Sequence, residues 1–334
     1  MHPTVSIIVP CYNEQATICH LLDAILAQTY PLEKIEVVIS DGLSTDGTQT
    51  VIENFHTEHP ELNLRLIENA ARSIPAALNR ALQAASNEIF IRLDAHSMPY
   101  PDYVVHCVEA LEAGRGDNVG GAWEIRPGAG TWVAESIAAA AAHPLGAGDA
   151  MYRLAPQAGA VDTVPFGSFR RSLVEKIGGF DESLLSNEDY EFNTRVRQSG
   201  GTVWLDPSIR SVYFSRATFS GLMRQYWRYG FWKWRMLRRY PATLRWRQAL
   251  PPLFAASLLG LALAGLFFAP ARFLLAAEVL AYFLILAWAG LRLAQKRRKP
   301  VLILGLPLAV ASMHCAWGGG FLWSMLSSSL SRNV

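Results

Sequence analysis

Residues 88–96, Glu88-Ile89-Phe90-Ile91-Arg92-Leu93-Asp94-Ala95-His96, decide how this chain is read. An apolar run of strand length ends in an acid and an imidazole two positions apart. In an open α/β sheet, ligands collect at the carboxyl ends of the strands. Asp94 and His96 in that place can hold a divalent cation, and a cation there suits a substrate with phosphates to neutralise. The same residues also describe a turn in which Asp94 caps the next segment and His96 is solvated. Taken alone, the triplet leaves both readings open.

Upstream, the chain alternates strand and helix signals. Val5–Pro10 reads as a short buried strand, and helix-like spacing follows from Ala16 to Gln28. A second strand, Ile35–Ser40, runs into the turn Asp41-Gly42-Leu43-Ser44-Thr45-Asp46-Gly47, rich in capping residues. A helix is expected from Thr48 to His56, a strand over Leu64–Ile67, and a helix capped by Ser73 through Ala85. This β-α-β-α-β-α-β order implies an α/β fold with a doubly wound, mainly parallel sheet. There is no G-x-G-x-x-G after the first strand and no G-x-x-x-x-G-K-[ST] anywhere, so dinucleotide-binding and P-loop readings lack their fingerprint. Polar residues gather instead at the strand ends: Pro10, Tyr12, Asn13 and Glu14; Asp41 and Asp46; Asp94 and His96. Such carboxylates can hold a base, a ribose and a metal. Asp46 reads better as a helix cap, and Asp41, directly at a strand end, better as a ligand contact.

Charge divides the chain. Residues 1–218 carry 15 Lys/Arg against 27 Asp/Glu, a net −12, whereas residues 219–334 carry 15 Lys/Arg and one acid, Glu278, a net +14. An acidic front half argues against nucleic-acid binding. A basic, apolar tail points to a membrane with anionic lipid. The cysteines, Cys11, Cys19, Cys107 and Cys315, have no C-x-x-C spacing, so neither a zinc site nor a disulfide framework is expected. The N-terminus has no charged segment followed by an apolar one, and no signal peptide is expected.

Three apolar stretches fill the tail: Leu250–Phe268, Phe273–Leu293 and Val301–Leu326. Each is near the ~20 residues that cross a hydrocarbon core. Ala269-Pro270-Ala271-Arg272 is expected to be a tight hairpin, and the basic link Gln295–Lys299 to be cytoplasmic by the positive-inside rule. In the third stretch, Pro307, His314 and Gly318-Gly319-Gly320 could break the span or make it re-entrant. Glu278 is expected to snorkel toward the surface near Arg272. Residues Arg224–Arg247, with eight Lys/Arg and eight aromatics, read as an amphipathic interfacial segment. The expected domains are therefore 1–218, 219–247 and 248–334.

Several motifs in order resemble family 2 glycosyltransferases with the GT-A fold. Val5-Ser6-Ile7-Ile8-Val9-Pro10-Cys11-Tyr12-Asn13-Glu14 and Asp41–Thr48 resemble the family's opening motifs, and Asp94-Ala95-His96 stands in the place of its D-x-D. Phe166-Gly167-Ser168, Ile177-Gly178-Gly179-Phe180-Asp181-Glu182, Asn187-Glu188-Asp189-Tyr190-Glu191 and Gln225-Tyr226-Trp227-Arg228-Tyr229 follow. The resemblance covers about residues 4–230. With the membrane tail, it is nearest to bacterial exopolysaccharide glycosyltransferases of the succinoglycan β-1,3-glucosyltransferase type.

The resemblance implies an inverting transfer, of glucose, from a UDP-sugar to a polyprenyl-diphosphate-linked saccharide at the cytoplasmic face of a bacterial inner membrane. Asp41 would contact the uracil, Pro10, Tyr12, Glu14 and Arg72 would line the donor site, and Asp94 would reach the ribose and the metal. His96 would be the second metal ligand, for Mn²⁺ or Mg²⁺. Imidazole is softer than the usual carboxylate, which favours Mn²⁺. Glu188 and Asp189 would be catalytic, with Asp189 taking the proton from the acceptor hydroxyl; without the resemblance, two acids opening a helix could equally serve its dipole. Gly167, Gln225, Arg228 and Tyr229 would attend the diphosphate and acceptor, Tyr229 replacing a common Trp.

Two other enzymes fit part of this pattern: a processive polysaccharide synthase and a glycosyltransferase that charges polyprenyl phosphate. Three spans form a pore only if subunits combine, so a homo-oligomer or a polysaccharide-assembly complex stays open. A non-enzymatic alternative is a nucleotide-sugar-binding scaffold in a membrane complex, which would bind UDP without turnover.

Overall fold

The computed structural model describes residues 2–154 and 156–330. In chain order the elements are β1 (Val5–Cys11), α1 (Ile18–Leu26), β2 (Ile35–Asp41), α2 (Thr48–Glu58), β3 (Asn63–Glu68), α3 (Ile74–Ala84), β4 (Ile89–Arg92), β5 (Ser97–Pro99), α4 (Tyr103–Glu112) and β6 (Asn118–Arg126). Then come α5 (Trp132–Ala141), α6 (Pro144–Ala147), β7 (Gly159–Ala160), β8 (Ser168–Arg170), α7 (Arg171–Ile177), α8 (Glu188–Gln198) and β9 (Val203–Phe214). Four long helices close the chain: α9 (Phe219–Leu237), α10 (Trp246–Gly265), α11 (Ala269–Arg297) and α12 (Leu302–Leu330). They form two compact units: residues 1–124 with 151–213, and residues 125–150 with 214–334.

The first unit is built on one sheet of order β3-β2-β1-β4-β8-β6-β9-β5, with β7 added on β9. β3, β2, β1 and β4 are mutually parallel, in register from Val5 opposite Ile35 and Ile89. The other half departs from the mainly parallel sheet expected. β8 runs antiparallel to β4 and β6, and β9 antiparallel to β5 and β7. The sheet is therefore mixed. The antiparallel strands β5, β7 and β8 are two or three residues long, too short to show a period in sequence.

Every residue of β1 and β2 is buried, as befits central strands covered on both faces. Alternate side chains feed two cores. Val5, Ile7, Val9, Ile89 and Ile91 pack with α1 and α4, whose stripes include Ile18, Leu21, Leu22 and Ile25. Ile8, Val38 and Phe90 point the other way, onto Leu78, Ala81 and Leu82 of α3 and Phe192 and Val196 of α8. The period of two puts Arg92 on the Phe90 side of β4, toward α8.

α8 is held where it stands by local chemistry. Asn79 Nδ2 donates to Phe180 O at 2.9 Å and Asn79 Oδ1 accepts from Phe180 N at 2.8 Å. A Cβ on Gly179 would lie 2.4 Å from Asn79 Oδ1, so only glycine passes this clamp. Arg195 of α8 donates to the carbonyls of Ile177, Gly178 and Gly179.

The second unit is a helical bundle around α12. Of the three helices long and apolar enough to cross a membrane, α12 is the most enclosed: 44% of its apolar window is buried, against 11% in α10 and 17% in α11. Ile137 and Ala140 of α5, Leu222 and Tyr226 of α9, and Leu286 and Ala289 of α11 all pack on its Leu306–Ala316 face. α5 and α6 thus belong to this unit although they lie ahead of residue 218. Glu135 of α5 pairs with Lys299, and Asp149 pairs with Arg247.

Three expectations for the tail need correcting. Ala269–Arg272 opens α11, and the turn is made by the three residues before it. α12 is one continuous helix through Pro307 and the glycines. Those glycines admit neighbours: a Cβ on Gly318 would come 2.5 Å from Pro251 O, and one on Gly320 2.2 Å from Trp227 O. Small residues permit such approach between helices. Glu278 accepts from Ser257 Oγ at 2.8 Å, while Arg272 donates to the carbonyls of Gly265 and Leu266. α9, in the segment expected to be interfacial, buries Leu222, Tyr226, Gly230 and Met236 and leaves Met223 and Trp227 exposed. His314 Nε2 lies 2.8 Å from Leu145 O and must donate to it, so Nδ1 accepts from Tyr282 OH at 3.0 Å.

Candidate active site

Loops at the carboxyl end of the sheet carry unusual backbone. Asn13, Leu43, Arg72, Phe166 and Asn187 all have φ between 49° and 68° without being glycine. Residues in that region cost energy and tend to cluster at functional sites. Asn13 follows β1, Leu43 follows β2, Arg72 follows β3, Phe166 precedes Gly167, and Asn187 starts α8.

The loops after β1 and β2 are tied together. Asn13 N donates to Ser44 Oγ at 2.8 Å, and Thr45 N donates to Asn13 Oδ1 at 2.8 Å. Asp46 accepts from Gln15 N and from Thr48 N and Oγ1, acting as a loop cap. These interactions, Thr48 Oγ1 first, hold its carboxyl below the usual range. Beside them an open pocket of ≈ 480 Å³ is lined by Asn13, Glu14, Gln15, Ala16, Thr17 and Asp46. Tyr12 is exposed and Pro10 is buried within β1. Arg72 is exposed, its backbone N–H donating to Asn69 O.

Asp41 is 1% exposed, and its carboxylate accepts from Ser44 N, Ser44 Oγ and Gln49 Nε2 at 2.8, 2.5 and 2.6 Å. These bonds shape the loop and orient the carboxylate; Oδ1 accepts from Ser44 Oγ alone, which leaves it capacity for a further donor.

At the end of β4 four charges meet. Arg92, with its side chain 3% exposed, donates from Nη2 to Asp94 Oδ1 and to Glu188 Oε1, both at 3.1 Å, and from Nη1 to Asp189. Its Nε reaches Asp94 Oδ1 at 3.3 Å. Glu188 and Asp189 come from the first turn of α8, entered through the left-handed Asn187. Burial works against the charge on Arg92, and the three carboxylates more than restore it. Asp189 keeps 30% of its side chain exposed. Burial pushes its carboxyl up, Arg92 opposes, Glu188 and Asp94 add to the rise, and it ends at about 7. That is a suitable value for a base working near neutral pH.

His96 follows Asp94 by two residues. Its Nδ1 lies 2.9 Å from Glu14 Oε1, and Glu14 also accepts from Thr17 Oγ1. A ring that donates Nδ1–H to a carboxylate carries its lone pair on Nε2, the tautomer a metal requires. No group of three or more His, Cys, Asp or Glu side chains placed to hold a metal occurs among the described residues. Two protein ligands plus oxygens of a bound diphosphate make a typical shell for a hard cation. Charge favours it too, because the carboxylates of Asp94, Glu188 and Asp189 outnumber the single guanidinium of Arg92. The donor set therefore fits a divalent cation held by Asp94 and His96.

Gly167 lies against Asn118: a Cβ there would be 2.3 Å from Asn118 Oδ1. Its carbonyl accepts from Arg92 N at 3.0 Å, latching β4 to the Phe166–Gly167 turn. Gln225, Arg228 and Tyr229 lie on α9 in the second unit, where Gln225 Nε2 donates to Tyr229 OH at 2.9 Å. The first unit thus joins Asp94, Glu188 and Asp189 through a residue the sequence reading passed over, Arg92. Its signal was a lone cation in an apolar run, two residues ahead of an acid.

An open pocket and a carboxylate cluster beside the strand ends of a mixed α/β sheet are an arrangement suited to a group-transfer enzyme. The chain belongs to glycosyl transferase family 2, whose profile matches residues 6–178. It is 31% identical to the succinoglycan biosynthesis protein ExoA of Rhizobium meliloti over 330 residues, 96% of this chain and 94% of that one. It is 26% identical to a dolichyl N-acetyl-α-D-glucosaminyl phosphate 3-β-D-2,3-diacetamido-2,3-dideoxy-β-D-glucuronosyltransferase of Methanococcus voltae over 331 residues, 97% and 98% of the two chains. Among solved structures, the mannosyltransferase PcManGT of Pyrobaculum calidifontis, in complex with GDP-Man and Mn²⁺, shares the fold. Its TM-score is 0.60 at 24% identity, over 94% of this chain and 87% of that one. S. aureus TarS in complex with UDP-GlcNAc gives 0.51 at 15%, over 94% and 90%.

Proposed function

We propose that this glycosyltransferase moves glucose from UDP-glucose to a polyprenyl-diphosphate-linked saccharide, with inversion, during exopolysaccharide assembly at the cytoplasmic face of a bacterial inner membrane. The observation that carries the chemistry is the Asp94–Arg92–Asp189 arrangement: a carboxylate on the donor side and a partly exposed one of raised proton affinity, held by one guanidinium. The similarity along almost the whole chain to a succinoglycan biosynthesis protein supports exopolysaccharide assembly, and that to a transferase named for a dolichyl-phosphate-linked sugar supports a lipid-linked acceptor.

In this reading the nucleotide occupies the pocket beside Asn13–Thr17, Asp41 contacts the uracil, and Pro10, Tyr12, Glu14 and Arg72 line the donor site. Asp189 takes the proton from the acceptor hydroxyl as that oxygen attacks the anomeric carbon, and the bond to the diphosphate breaks on the opposite face. Glu188 keeps Arg92 charged and engaged. Arg228, with Gln225 and Tyr229, attends the diphosphate and acceptor. Asp94 and His96 would hold the cation. It neutralises charge on the departing diphosphate. Because imidazole is a softer ligand than carboxylate, Mn²⁺ is preferred to Mg²⁺, and His96→Asp should narrow that preference.

The test is the full-length protein in membranes, given Mn²⁺, a panel of UDP-sugars and polyprenyl-diphosphate-linked saccharides, with products followed by mass spectrometry. One added glucose is the expected product. Long polymer would mean a processive synthase, transfer to bare polyprenyl phosphate a different acceptor, and UDP binding without any transfer a scaffold.

A further inference from the structure

Resting on the reading of Asp189 as base, we propose that Arg92 is a positioning residue, a rigid strut that fixes the base relative to the donor-side carboxylate. The strand end and the helix start come from segments almost a hundred residues apart. One side chain, Arg92, bonds all three of the carboxylates they carry. Nε and Nη2 converge on Asp94 Oδ1, Nη2 also reaches Glu188, and Nη1 reaches Asp189. The guanidinium is planar, so these directions are set together. Its own backbone is fixed as well, by pairing opposite Ile8 and by the bond from its N–H to Gly167 O.

Lysine in this place would keep the positive charge and lose the fork. A single ammonium is a point charge on a flexible stem and does not hold three carboxylates in fixed directions. Asp189 would stay close but unaimed, and a misplacement of about 1 Å in a catalytic group can cost ~10²-fold. Arg92 does not line the pocket beside Asn13–Thr17, so nucleotide binding without metal should survive, whereas metal-dependent binding also feels the loosening of Asp94.

The experiment is a double-mutant cycle of Arg92→Lys with Asp189→Asn on the full chain in membranes. It reads kcat for transfer, calorimetric binding of UDP without added metal, and thermal unfolding. Arg92→Lys alone should lower kcat by ~10²-fold, with metal-free UDP affinity changed by less than about threefold. In the Asp189→Asn background the same change should cost less than about threefold, because a residue acting through Asp189 has nothing left to position. Equal losses in both backgrounds, or full activity of Arg92→Lys, would overturn the proposal. So would parallel loss of UDP binding and folding. If Asp189→Asn itself stays active, it is the base that has been misread. Should Arg92→Lys not fold, Glu188→Gln loosens one arm of the fork with Arg92 in place. The same non-additivity is then required, and additivity refutes the strut.

Discussion

Asp189→Asn separates catalysis from stability in opposite directions. Asparagine keeps the shape and can still accept from Arg92, so the strand–helix junction should stand. What disappears is a proton acceptor, and general bases contribute ~10²–10⁴-fold, about 2.7–5.4 kcal/mol of barrier at 1.36 kcal/mol per tenfold. Stability should move the other way. Asp189 has its carboxyl raised from an ordinary 3.8 to about 7 by burial and by Glu188 and Asp94, against the pull of Arg92. A raised acid binds more protons folded than unfolded, so its ionisation costs stability as pH rises from about 4 to about 7. The variant should therefore match or exceed the parent in thermal stability at pH 8 and lose that advantage near pH 4. For the parent, transfer should fall as pH drops through about 7, while UDP binding persists. The assay is sugar transfer followed by mass spectrometry alongside thermal unfolding at both pH values. A variant keeping more than about a tenth of the parent rate would refute the base assignment. Clear destabilisation at pH 8 would refute the charge argument.

Other consequences can be checked separately. Glu36, buried in β2, accepts from Ser6 Oγ, Ser86 N, Ser86 Oγ and Arg65. Burial alone would raise its carboxyl, and these bonds together hold it below the usual value. Its contribution should be present above about pH 4.5 and fade as pH falls below; Glu36→Ala should cost ~3 kcal/mol or more in chemical unfolding. Gly320→Val would drive side-chain atoms into Trp227 O and should cost about 1–3 kcal/mol. Gly260→Ala, with nothing within 4 Å of the added carbon, should be silent. Both are read by thermal stability in detergent. Gly167→Ala must displace Asn118, whose Nδ2 donates to Asn193 Oδ1 at 2.6 Å. A fall in unfolding temperature together with transfer is expected, and unchanged values for both would refute the close contact.

The legible part of the fold was the part with long apolar periods. β1, β2 and β4, with α1 to α3 between them, stand close to where hydrophobic runs and caps put them. The antiparallel half was not legible, because strands such as Ser97–Pro99 are specified by their partner Ser211–Tyr213 and carry no pattern of their own. The same limit applies to glycine. Gly318–Gly320 in sequence look like a helix breaker, and only the opposing Pro251 and Trp227 reveal them as a contact surface. The acids of the site were visible, since Asp94, Glu188 and Asp189 stand in recognisable motifs. Arg92 was hidden by its apolar neighbours. Asp41 shows another limit: its place at a strand end could be read from the sequence, but its bonds to Ser44 and Gln49 could not.

The membership of α5 and α6 in the bundle sets an order on biosynthesis. Residues 125–150 leave the ribosome well before α9, α11 and α12, the helices that bury Ile137 and Ala140. Until those arrive, an alanine-rich helix must wait uncovered, in contact with solvent, lipid or a chaperone. A chain ended near residue 218 would keep that helix in waiting permanently, and should aggregate unless residues 125–150 are also removed.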